Sequence, residues 1–316
     1  MSPSAYSQEA ENGASNRTLG RGIYVPTVAF FDPETDELDL KTVSRHAVRL
    51  AKAGVTGLAV QGSNGEAVHL SHEERSTVTK TTRAALDAAG FESMPLIVGC
   101  GAQSTIEAIK LCKDAAADGG DFAMVLPPSY YATLFSSSTV IDFFTAVADA
   151  SPIPVIIYNY PGVTPGIDIN SDTLIALTTH ENIVGCKFTC ANTGKLGRVA
   201  ASVKKSGANF QCFAGSTDFL LSAHANGSAG VIGGIANLAE AGKTEQAIQV
   251  QAVLAAGDWV AIKTGVVGVK DALRAFYGYG GYGRRPLPRP DDAQVAKITE
   301  GMKEMMELEN SLEDIA

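Results

Sequence analysis

The sequence has few of the features that mark several large classes of protein. Its 316 residues carry a net charge of −9 and no basic cluster, so we expect no nucleic-acid partner. No apolar run approaches the length of a membrane-spanning helix, so we expect no membrane association. The five cysteines, an odd number, lie mostly in apolar segments. We interpret them as reduced thiols of an intracellular, cytoplasmic protein.

Signals for a metal, a dinucleotide or secretion are also missing. Cys186 and Cys190 have no further ligand residues near them at zinc spacing, so no metal site is predicted. The glycine-rich residues 278–283 superficially match a dinucleotide loop, but they follow a helical stretch instead of a strand, and we interpret them as a helix stop and turn. Residues 1–20 are rich in Ser, Asn and Glu without an apolar centre, which predicts a disordered N-terminal tail and not a signal peptide.

From Gly22 onward, short apolar runs alternate with longer stretches of helical periodicity. The predicted strands are residues 23–30, 57–60, 95–98, 122–126, 154–158, 182–190, 210–214 and 230–232. Helical patterns occupy residues 40–53, 104–117, 140–148, 174–179 and 219–225, and a capping box at Ser71 and Glu74 begins another helix. This alternation predicts an α/β fold, a (β/α)8 TIM barrel. A doubly wound sheet is the alternative, but it requires a phosphate-binding glycine loop after the first strand, where the sequence has none.

Strand signals stop after about Leu238, and three more helical stretches follow at residues 245–254, 260–276 and 291–312. This tail is longer than one last barrel helix requires. We therefore predict a barrel catalytic domain over residues 21–250 and a small C-terminal helical appendage over residues 251–316.

Lys187 lies towards the end of the sixth predicted strand, after Ile183 and Val184. Burying an unpaired ammonium group is costly, so the side chain either extends to water or lowers its pKa. A neutral amine is a nucleophile that forms a Schiff base with a ketone. On this segment alone, extension to water is the more ordinary interpretation. Residues elsewhere in the chain favour the Schiff base.

Unusual polar residues end several other predicted strands. A tyrosine at a strand end is usually packing, and a glycine-flanked Ser-Asn is usually a turn. In a TIM barrel, however, the carboxyl ends of the strands meet at one face, where active sites form. The residues that this face would collect are residues 61–66, Tyr130, Tyr131, Tyr158, Lys187 and residues 215–217. Their convergence predicts a catalytic site.

Three short motifs resemble those of one family. Residues 62–66 (Gly-Ser-Asn-Gly-Glu), 158–161 (Tyr-Asn-Tyr-Pro) and 185–187 (Gly-Cys-Lys) are similar to the glycine-rich loop, the tyrosine motif and the Schiff-base lysine motif of the dihydrodipicolinate synthase / N-acetylneuraminate lyase superfamily. These are the class I pyruvate-dependent aldolases. Residues 269–273 and 285–288 resemble the C-terminal part of that family. The resemblance extends from about Gly22 to about Pro290.

The resemblance implies roles for individual residues. Lys187 would form the iminium with pyruvate or another 2-keto acid, and Tyr158 would be the general acid and base. Ser63 would link Tyr158 by hydrogen bonds to Tyr131, which in the family comes from the neighbouring subunit. Glu66 would be structural and satisfy its own loop. The substrate-binding positions would be Ser63, Asn64, Thr189, Gly215 and Ile232.

The resemblance also implies how the chain works with other molecules. A covalent Schiff base on Lys187 would take the electron-withdrawing role that zinc has in class II aldolases, so no metal or other cofactor is expected. The partners would be a small 2-keto acid such as pyruvate and an aldehyde. A homotetramer built as a dimer of dimers is the implied oligomer.

Several reactions share this site in the family. The synthase branch condenses pyruvate with aspartate semialdehyde. It has an arginine, which holds the second substrate's carboxylate, two residues after the proline of the tyrosine motif, where this sequence has Val163. Residues 187–194 are more similar to the branch that cleaves 2-keto-3-deoxy sugar acids, such as L-threo-3-deoxy-hexulosonate, in fungal acid-sugar catabolism. A neutral sugar-derived aldehyde needs hydroxyl partners, for which Thr164, Thr189 and Ser216 are candidates.

Two further alternatives remain. A 4-hydroxy-2-oxoglutarate aldolase would release glyoxylate, whose carboxylate would need another cation, with Lys195 and Arg198 as candidates. A keto-acid-binding sensor or scaffold is the alternative outside the enzymes. Such a protein would be expected to have lost Lys187 or Tyr158, and the sequence retains both.

Overall fold

The computed structural model describes residues 17–233 and 244–311. Residues 1–16 of the predicted disordered tail lie outside the described residues. Eight parallel strands pair in sequence order and close into a barrel, which confirms the predicted fold class. They are β1 (Gly22–Pro26), β2 (Gly57–Val60), β3 (Leu96–Gly99), β4 (Phe122–Val125), β5 (Val155–Asn159), β6 (Ile183–Phe188), β7 (Gln211–Ala214) and β8 (Gly230–Ile232).

Helices alternate with the strands along the chain. They are α1 (Leu40–Lys52), α2 (His72–Ala88), α3 (Thr105–Ala117), α4 (Ser137–Ala150), α5 (Ser171–Leu177), α6 (Thr193–Ser206), α7 (Leu220–Ala225), α8 (Thr244–Tyr277) and α9 (Asp292–Asn310). The capping box predicted at the start of α2 is confirmed, because Ser71 Oγ accepts from Glu74 N and Glu74 Oε2 accepts from Ser71 N. Side-chain caps of this kind satisfy amide groups that have no partner within the helix.

Strand side chains alternate between two apolar cores. On β5, Ile156 and Tyr158 belong to the core inside the barrel. Val155 and Ile157 belong to the larger core between the strands and the surrounding helices. Burial on both faces explains why the strands appear in the sequence as nearly continuous apolar runs.

Two details of the predicted helices are wrong. Helix α6 was not predicted, because its residues Gly194 and Gly197 weaken the helical signal and glycine is a poor helix former. Two C-terminal helices were predicted with a division near residues 255–259, whereas α8 continues through that stretch and breaks at Gly265, with φ 60° and ψ −153°. Residue 250, the predicted division between barrel and appendage, lies inside α8.

The stretch Ile248–Tyr277 of α8 is long and apolar enough to cross a membrane, judged by length and composition alone. This corrects the expectation from the sequence that no apolar run approaches such a length. In the fold, α8 packs against α9 through a core that includes Leu254 and Met302. Its charged residues Asp258 and Lys270 hydrogen-bond with loops of the barrel.

Candidate active site

Lys187 points into the barrel near the carboxyl end of β6. Its neighbours Cys186 and Phe188 belong to the core outside the strands, so the alternation of the strand directs Lys187 inward. The residue is only 4% exposed, so extension of the side chain to water is the wrong interpretation. Burial lowers the pKa of Lys187 from 10.5 to about 7. A large fraction of the amine is therefore neutral near pH 7.

Tyr158 faces Lys187 from the neighbouring strand. The two residues are register partners of β5 and β6, and Lys187 Nζ lies 4.3 Å from the centroid of the Tyr158 ring. Burial raises the pKa of Tyr158, and hydrogen bonding with the Ser63 and Thr189 hydroxyls partly opposes this rise. The phenol is therefore protonated at neutral pH, with two further hydroxyl groups within reach of it.

Ser63 is brought to Tyr158 by the tight loop of residues 61–66 that follows β2. The loop folds on itself so closely that a Cβ atom on Gly65 would lie 2.7 Å from Gln61 N. A Cβ atom on Gly99 of β3 would lie 1.9 Å from Gln61 O, so glycine is required at that position too. Ser63 is exposed and Asn64 half-buried, which places both at the rim of the site.

Glu66 does more than satisfy its own loop, so that prediction is wrong in its choice of partners. Its Oε1 accepts from Lys270 Nζ of α8 at 2.5 Å, and its Oε2 accepts from the backbone N of Arg284 at 2.9 Å. A third partner is His69, whose Nδ1 lies 3.2 Å from Glu66 Oε2. Of the three partners, His69 alone is close to Glu66 in the sequence. The carboxylate therefore joins the glycine-rich loop to the C-terminal segment.

Thr189 and Gly215 come together where β6 and β7 end. A Cβ atom on Gly215 would lie 2.1 Å from Thr189 Oγ1, so this contact requires glycine. Among the described residues, Thr189 Oγ1 is buried without a well-formed hydrogen bond of its own, although it lies beside the Tyr158 hydroxyl. Ile232 is buried at the end of β8 in the core inside the barrel. These three predicted substrate positions therefore lie at the inner, carboxyl-terminal end of the barrel.

Tyr131 is the predicted site residue that the single chain does not bring to the others. Its side chain is 61% exposed and meets the Tyr130 ring edge-on, with centroids 4.9 Å apart. Within the described part of the chain, Tyr131 makes no hydrogen bond to Ser63. An outward-facing tyrosine at this position is available to a neighbouring molecule.

Two of the three candidate hydroxyl partners donate to groups of the protein. Thr164 is buried and its Oγ1 donates to Tyr160 O at 2.9 Å, which closes the turn that carries Val163. Ser216 Oγ donates to Asp218 Oδ1 at 2.5 Å. Thr189 is thus the one of the three that keeps a hydroxyl beside Tyr158.

The two candidate cations for a second carboxylate are also engaged. Lys195 is buried at the start of α6 and forms an ion pair with Asp168, which also accepts from Asn159 Nδ2 at 2.9 Å. Arg198 Nε donates to Ser171 Oγ at 2.9 Å. Both side chains therefore serve contacts between the helices and loops around the barrel.

Residues of α8 that the sequence analysis did not select hold the loop after β7. Asp258 Oδ2 accepts from Thr217 N at 2.7 Å, from Thr217 Oγ1 at 2.5 Å and from Asp218 N at 3.1 Å. Gln251 Nε2 donates to Thr217 O at 2.7 Å. The only sequence signal for Asp258 is a carboxylate within an apolar helix, which is too common a pattern to identify a loop clamp.

The arrangement supplies the groups that carbonyl chemistry requires. Lys187 offers a buried amine with a lowered pKa, which is the form that attacks a ketone. Tyr158 offers a protonated phenol that the Ser63 and Thr189 hydroxyls contact. Such a chain of hydroxyl groups is suited to carry a proton to and from a substrate.

Comparison with known proteins identifies the family of the chain. Residues 20–276 match the model of the dihydrodipicolinate synthetase family. A protein of Emericella nidulans named "Probable 4-hydroxy-2-oxoglutarate aldolase, mitochondrial" is 53% identical, with the alignment covering 95% of this chain and 99% of that protein. A protein of Hypocrea jecorina named "L-threo-3-deoxy-hexylosonate aldolase" is 48% identical, with 93% and 99% covered. The crystal structure of a dihydrodipicolinate synthase family protein from Coccidioides immitis superposes with a TM-score of 0.82 at 33% identity, covering 94% of this chain and 99% of that chain.

Proposed function

The chain belongs to the dihydrodipicolinate synthetase family, and on that premise we propose that it is a Schiff-base-forming aldolase. In this proposal it cleaves a 2-keto-3-deoxy sugar acid, such as L-threo-3-deoxy-hexulosonate, to pyruvate and a hydroxyaldehyde. The observation that carries the proposal is the Lys187 amine, buried inside the barrel with its pKa lowered to about 7 and 4.3 Å from the Tyr158 ring centroid.

The first step is the formation of the Schiff base. The neutral Lys187 amine attacks the C2 carbonyl carbon of the keto acid, and the carbinolamine loses water to give a protonated iminium. Tyr158 donates a proton to the departing hydroxyl, which leaves as water, and remains as a phenolate for the next step. Asn64, with backbone amides of residues 62–64, binds the substrate carboxylate at the rim of the barrel.

The second step breaks the bond between C3 and C4. The C4 hydroxyl gives up its proton to the Tyr158 relay, C4 leaves as the aldehyde, and the bonding electrons pass to C3 and the iminium, which becomes an enamine. The acceptor is the Tyr158 phenolate left by the first step, whose raised pKa makes it a strong base once formed, and Ser63 and the substrate carboxylate share the proton. Protonation of C3 and hydrolysis of the iminium then release pyruvate and regenerate Lys187.

The choice of aldehyde rests on Val163 and Thr189. Val163 is exposed in the turn after β5 and carries no charge where the synthase branch of the family has arginine. A hydrogen bond to a charged group contributes roughly 1.5–3 kcal/mol, so its loss weakens recognition of a second carboxylate by about one to two orders of magnitude. The Thr189 hydroxyl, which has no well-formed bond within the described residues, is available for a hydroxyl of a neutral aldehyde.

A 4-hydroxy-2-oxoglutarate aldolase is the second candidate, because a relative of 53% identity carries that name. The glyoxylate that this reaction releases has a carboxylate of its own. Lys195 and Arg198 are paired with Asp168 and Ser171 and do not provide a cation for it. The sugar-acid reaction therefore agrees better with the site.

The substrate proposal is tested by comparing three reactions of the purified chain. We expect kcat/KM for pyruvate release from 2-keto-3-deoxy sugar acids to exceed that from 4-hydroxy-2-oxoglutarate and that for condensation of pyruvate with aspartate semialdehyde. The Val163→Arg variant is the matched probe, because it restores a cation at the rim and should favour substrates with a second carboxylate. If semialdehyde condensation is the fastest reaction of the unmodified chain, our interpretation of Val163 is wrong.

The covalent chemistry is tested by trapping the Schiff base. Borohydride in the presence of pyruvate should add one reduced pyruvate per chain at Lys187, and a chelator should not prevent this, because we propose that the iminium and no metal withdraws the electrons. Lys187→Ala should remain unmodified. A stable adduct on Lys270 or Lys263 instead would falsify the assignment.

We also propose that the enzyme is a cytoplasmic homotetramer, a dimer of dimers in which Tyr131 completes the neighbouring site. The outward position of Tyr131 supports the shared site. Five cysteines without disulfides support a reducing compartment, although the name of the Emericella nidulans relative includes the word mitochondrial. Fractionation of cells should place the chain with cytosolic markers, and recovery with matrix markers would overturn the location.

A further inference from the structure

The loop of residues 61–66 is held at both ends in a backbone conformation that it would not retain alone. Gln61 and Glu66 have φ values of 56° and 50°, in the left-handed region that disfavours residues with a Cβ atom. Such conformations persist only where surrounding structure imposes them, and they concentrate at functional sites. Ser63 lies between these two residues and is itself exposed, so packing of its own side chain does not fix its position.

The first end is fixed by α2. Gln61 is buried, and its Nε2 donates to Thr79 Oγ1 at 2.6 Å and to the backbone oxygen of Arg75. Thr79 and Arg75 lie one turn apart on α2, so a rigid helix fixes this end of the loop. At the other end, Arg75 Nη1 of α2 also donates to Ala67 O at 3.2 Å, so α2 reaches the residue that follows Glu66.

The second end of the loop, at Glu66, is fixed by a residue of α8 that is far from it in the sequence. Lys270 Nζ donates to Glu66 Oε1 at 2.5 Å, and both side chains are 1% exposed. The same ammonium donates to Tyr282 O at 2.8 Å and lies 4.6 Å from the centroid of the Phe31 ring. Glu66 N in turn donates to Ser63 O at 3.2 Å, which connects the ion pair directly to the residue that meets Tyr158.

We propose that Lys270 is a positioning residue for catalysis, which holds Glu66 and through it sets the Ser63 hydroxyl against the Tyr158 phenol. This inference rests on the proposed function, because it assigns Lys270 to the proton relay of that reaction. Among the described residues, the Lys270 ammonium contacts Glu66, Tyr282 and Phe31, and these contacts include neither Lys187 nor Tyr158. Its effect therefore falls on proton transfer during bond cleavage and spares the attack of the Lys187 amine.

A double-mutant cycle with Ser63 tests the proposal in the 316-residue chain. Lys270→Met should lower kcat for sugar-acid cleavage by about tenfold to a hundredfold, as a small displacement of a catalytic group does, with a much smaller change in KM. In a Ser63→Ala background the same change should add less than about threefold, because the residue through which Lys270 acts is already lost. Full multiplication of the two effects, or an unchanged kcat for Lys270→Met, overturns the proposal.

Further variants separate positioning from loss of stability. Lys270→Arg, which keeps the charge, should recover part of kcat. Leu254→Ala removes packing between α8 and α9 without touching the loop, and it should lower the unfolding temperature while kcat of the folded enzyme stays near that of the unmodified chain. If Lys270→Met does not fold, the Glu66→Gln and Lys270→Met double variant replaces it, since removing both charges leaves no buried charge unpaired.

Two measurements distinguish failure of this inference from failure of the proposed function. Trapping of pyruvate on Lys187 by borohydride should persist in Lys270→Met. If the unmodified chain itself shows no trapping, the aldolase chemistry is rejected instead. A crystal structure of Lys270→Met gives a result that does not depend on activity. It should place Ser63 Oγ out of hydrogen-bond reach of the Tyr158 hydroxyl, and an unmoved loop overturns the positioning role.

Discussion

At the scale of single residues, two buried lysines of this chain have opposite environments. Lys187 has its pKa lowered to about 7 by burial alone, so its charged form is disfavoured. Burial also lowers the pKa of Lys270, but the attraction and hydrogen bond of Glu66 oppose that shift. A paired lysine serves as a structural cation and an unpaired one as a nucleophile, which is why we assign the Schiff base to Lys187 and positioning to Lys270.

The lowered pKa of Lys187 predicts how its removal changes stability with pH. Between about pH 7 and pH 10.5 the unfolded chain binds a proton at this lysine that the folded chain lacks, so the stability of the unmodified protein rises with pH across that window. Below about pH 7 the folded protein carries the full penalty of a buried charge. Lys187→Met should therefore be more stable than the unmodified chain by roughly 3–5 kcal/mol at pH 6, with the advantage vanishing towards pH 10.5.

Urea unfolding at pH 6 and pH 10 measures this difference in the free energy of unfolding. The other titratable groups are the same in the two proteins, so their contributions cancel in the comparison. The exposed Lys263 on α8 offers the control, since Lys263→Met removes a lysine that water already solvates. An equal effect of Lys187→Met at both pH values would mean that the pKa of Lys187 is not lowered.

At the scale of the element, α8 contacts two loops of the candidate site. It contacts one loop through a residue before its break and the other through a residue after the break. Asp258, before the break, accepts hydrogen bonds from Thr217 and Asp218 of the loop after β7. Lys270, after the break, binds Glu66 of the loop after β2. Gly265 lies between them with φ 60° and ψ −153°. The break thus lets one helix direct polar side chains to two separate loops.

Substitution of Gly265 should therefore disturb both stability and activity. A Cβ atom there would meet open space, so the cost of Gly265→Ala is the backbone conformation, which only glycine adopts readily. We expect a loss of about 1–3 kcal/mol in the free energy of unfolding and a fall in kcat/KM as the loops move. Gly207→Ala is the matched control: Gly207 ends α6 with φ 73° and also faces open space, in a left-handed region that alanine tolerates better.

The free energy of unfolding in urea and kcat/KM for cleavage should be measured for both glycine variants. Gly207→Ala should lose about 1 kcal/mol with little change in kcat/KM. Equal losses of activity in the two variants would indicate that the break in α8 has no special connection with the site.

At the scale of the whole molecule, one chain leaves a set of large apolar side chains on loops and helix ends beside its site. They follow β2, β3 and β4, three neighbouring strands of the barrel. Exposed apolar groups in such number are typical of a surface that another protein covers. The residues, with their exposed fractions, are Val68 (92%), Ile106 (81%), Tyr130 (80%), Tyr131 (61%) and Leu134 (77%). A second copy of this chain, seated on this surface, would bring its Tyr131 to the Ser63 of its partner.

Hybrid oligomers test whether Tyr131 acts across the boundary. Tyr131→Phe and Lys187→Ala chains should each have little activity, but mixed and allowed to exchange subunits they should recover up to about a quarter of it by random pairing. In the hybrid, one site combines an intact Lys187 with an intact Tyr131 from the other chain. Activity that stays absent after mass spectrometry has demonstrated exchange would mean that Tyr131 works within its own chain or not at all.

The sequence by itself determined the barrel and the choice of Lys187 as the candidate nucleophile. Alternating apolar runs and helical periods predicted the strands to within a few residues, because periodicity is a local property of the chain. The tertiary structure alone decided which groups meet: Glu66 binds Lys270, 204 positions away, and Thr164 and Lys195 are occupied by other partners. Ion pairs over such distances leave no local pattern, since they depend on how the whole chain closes. For the same reason the depth at which Lys187 is buried, and hence its pKa, followed only from the fold.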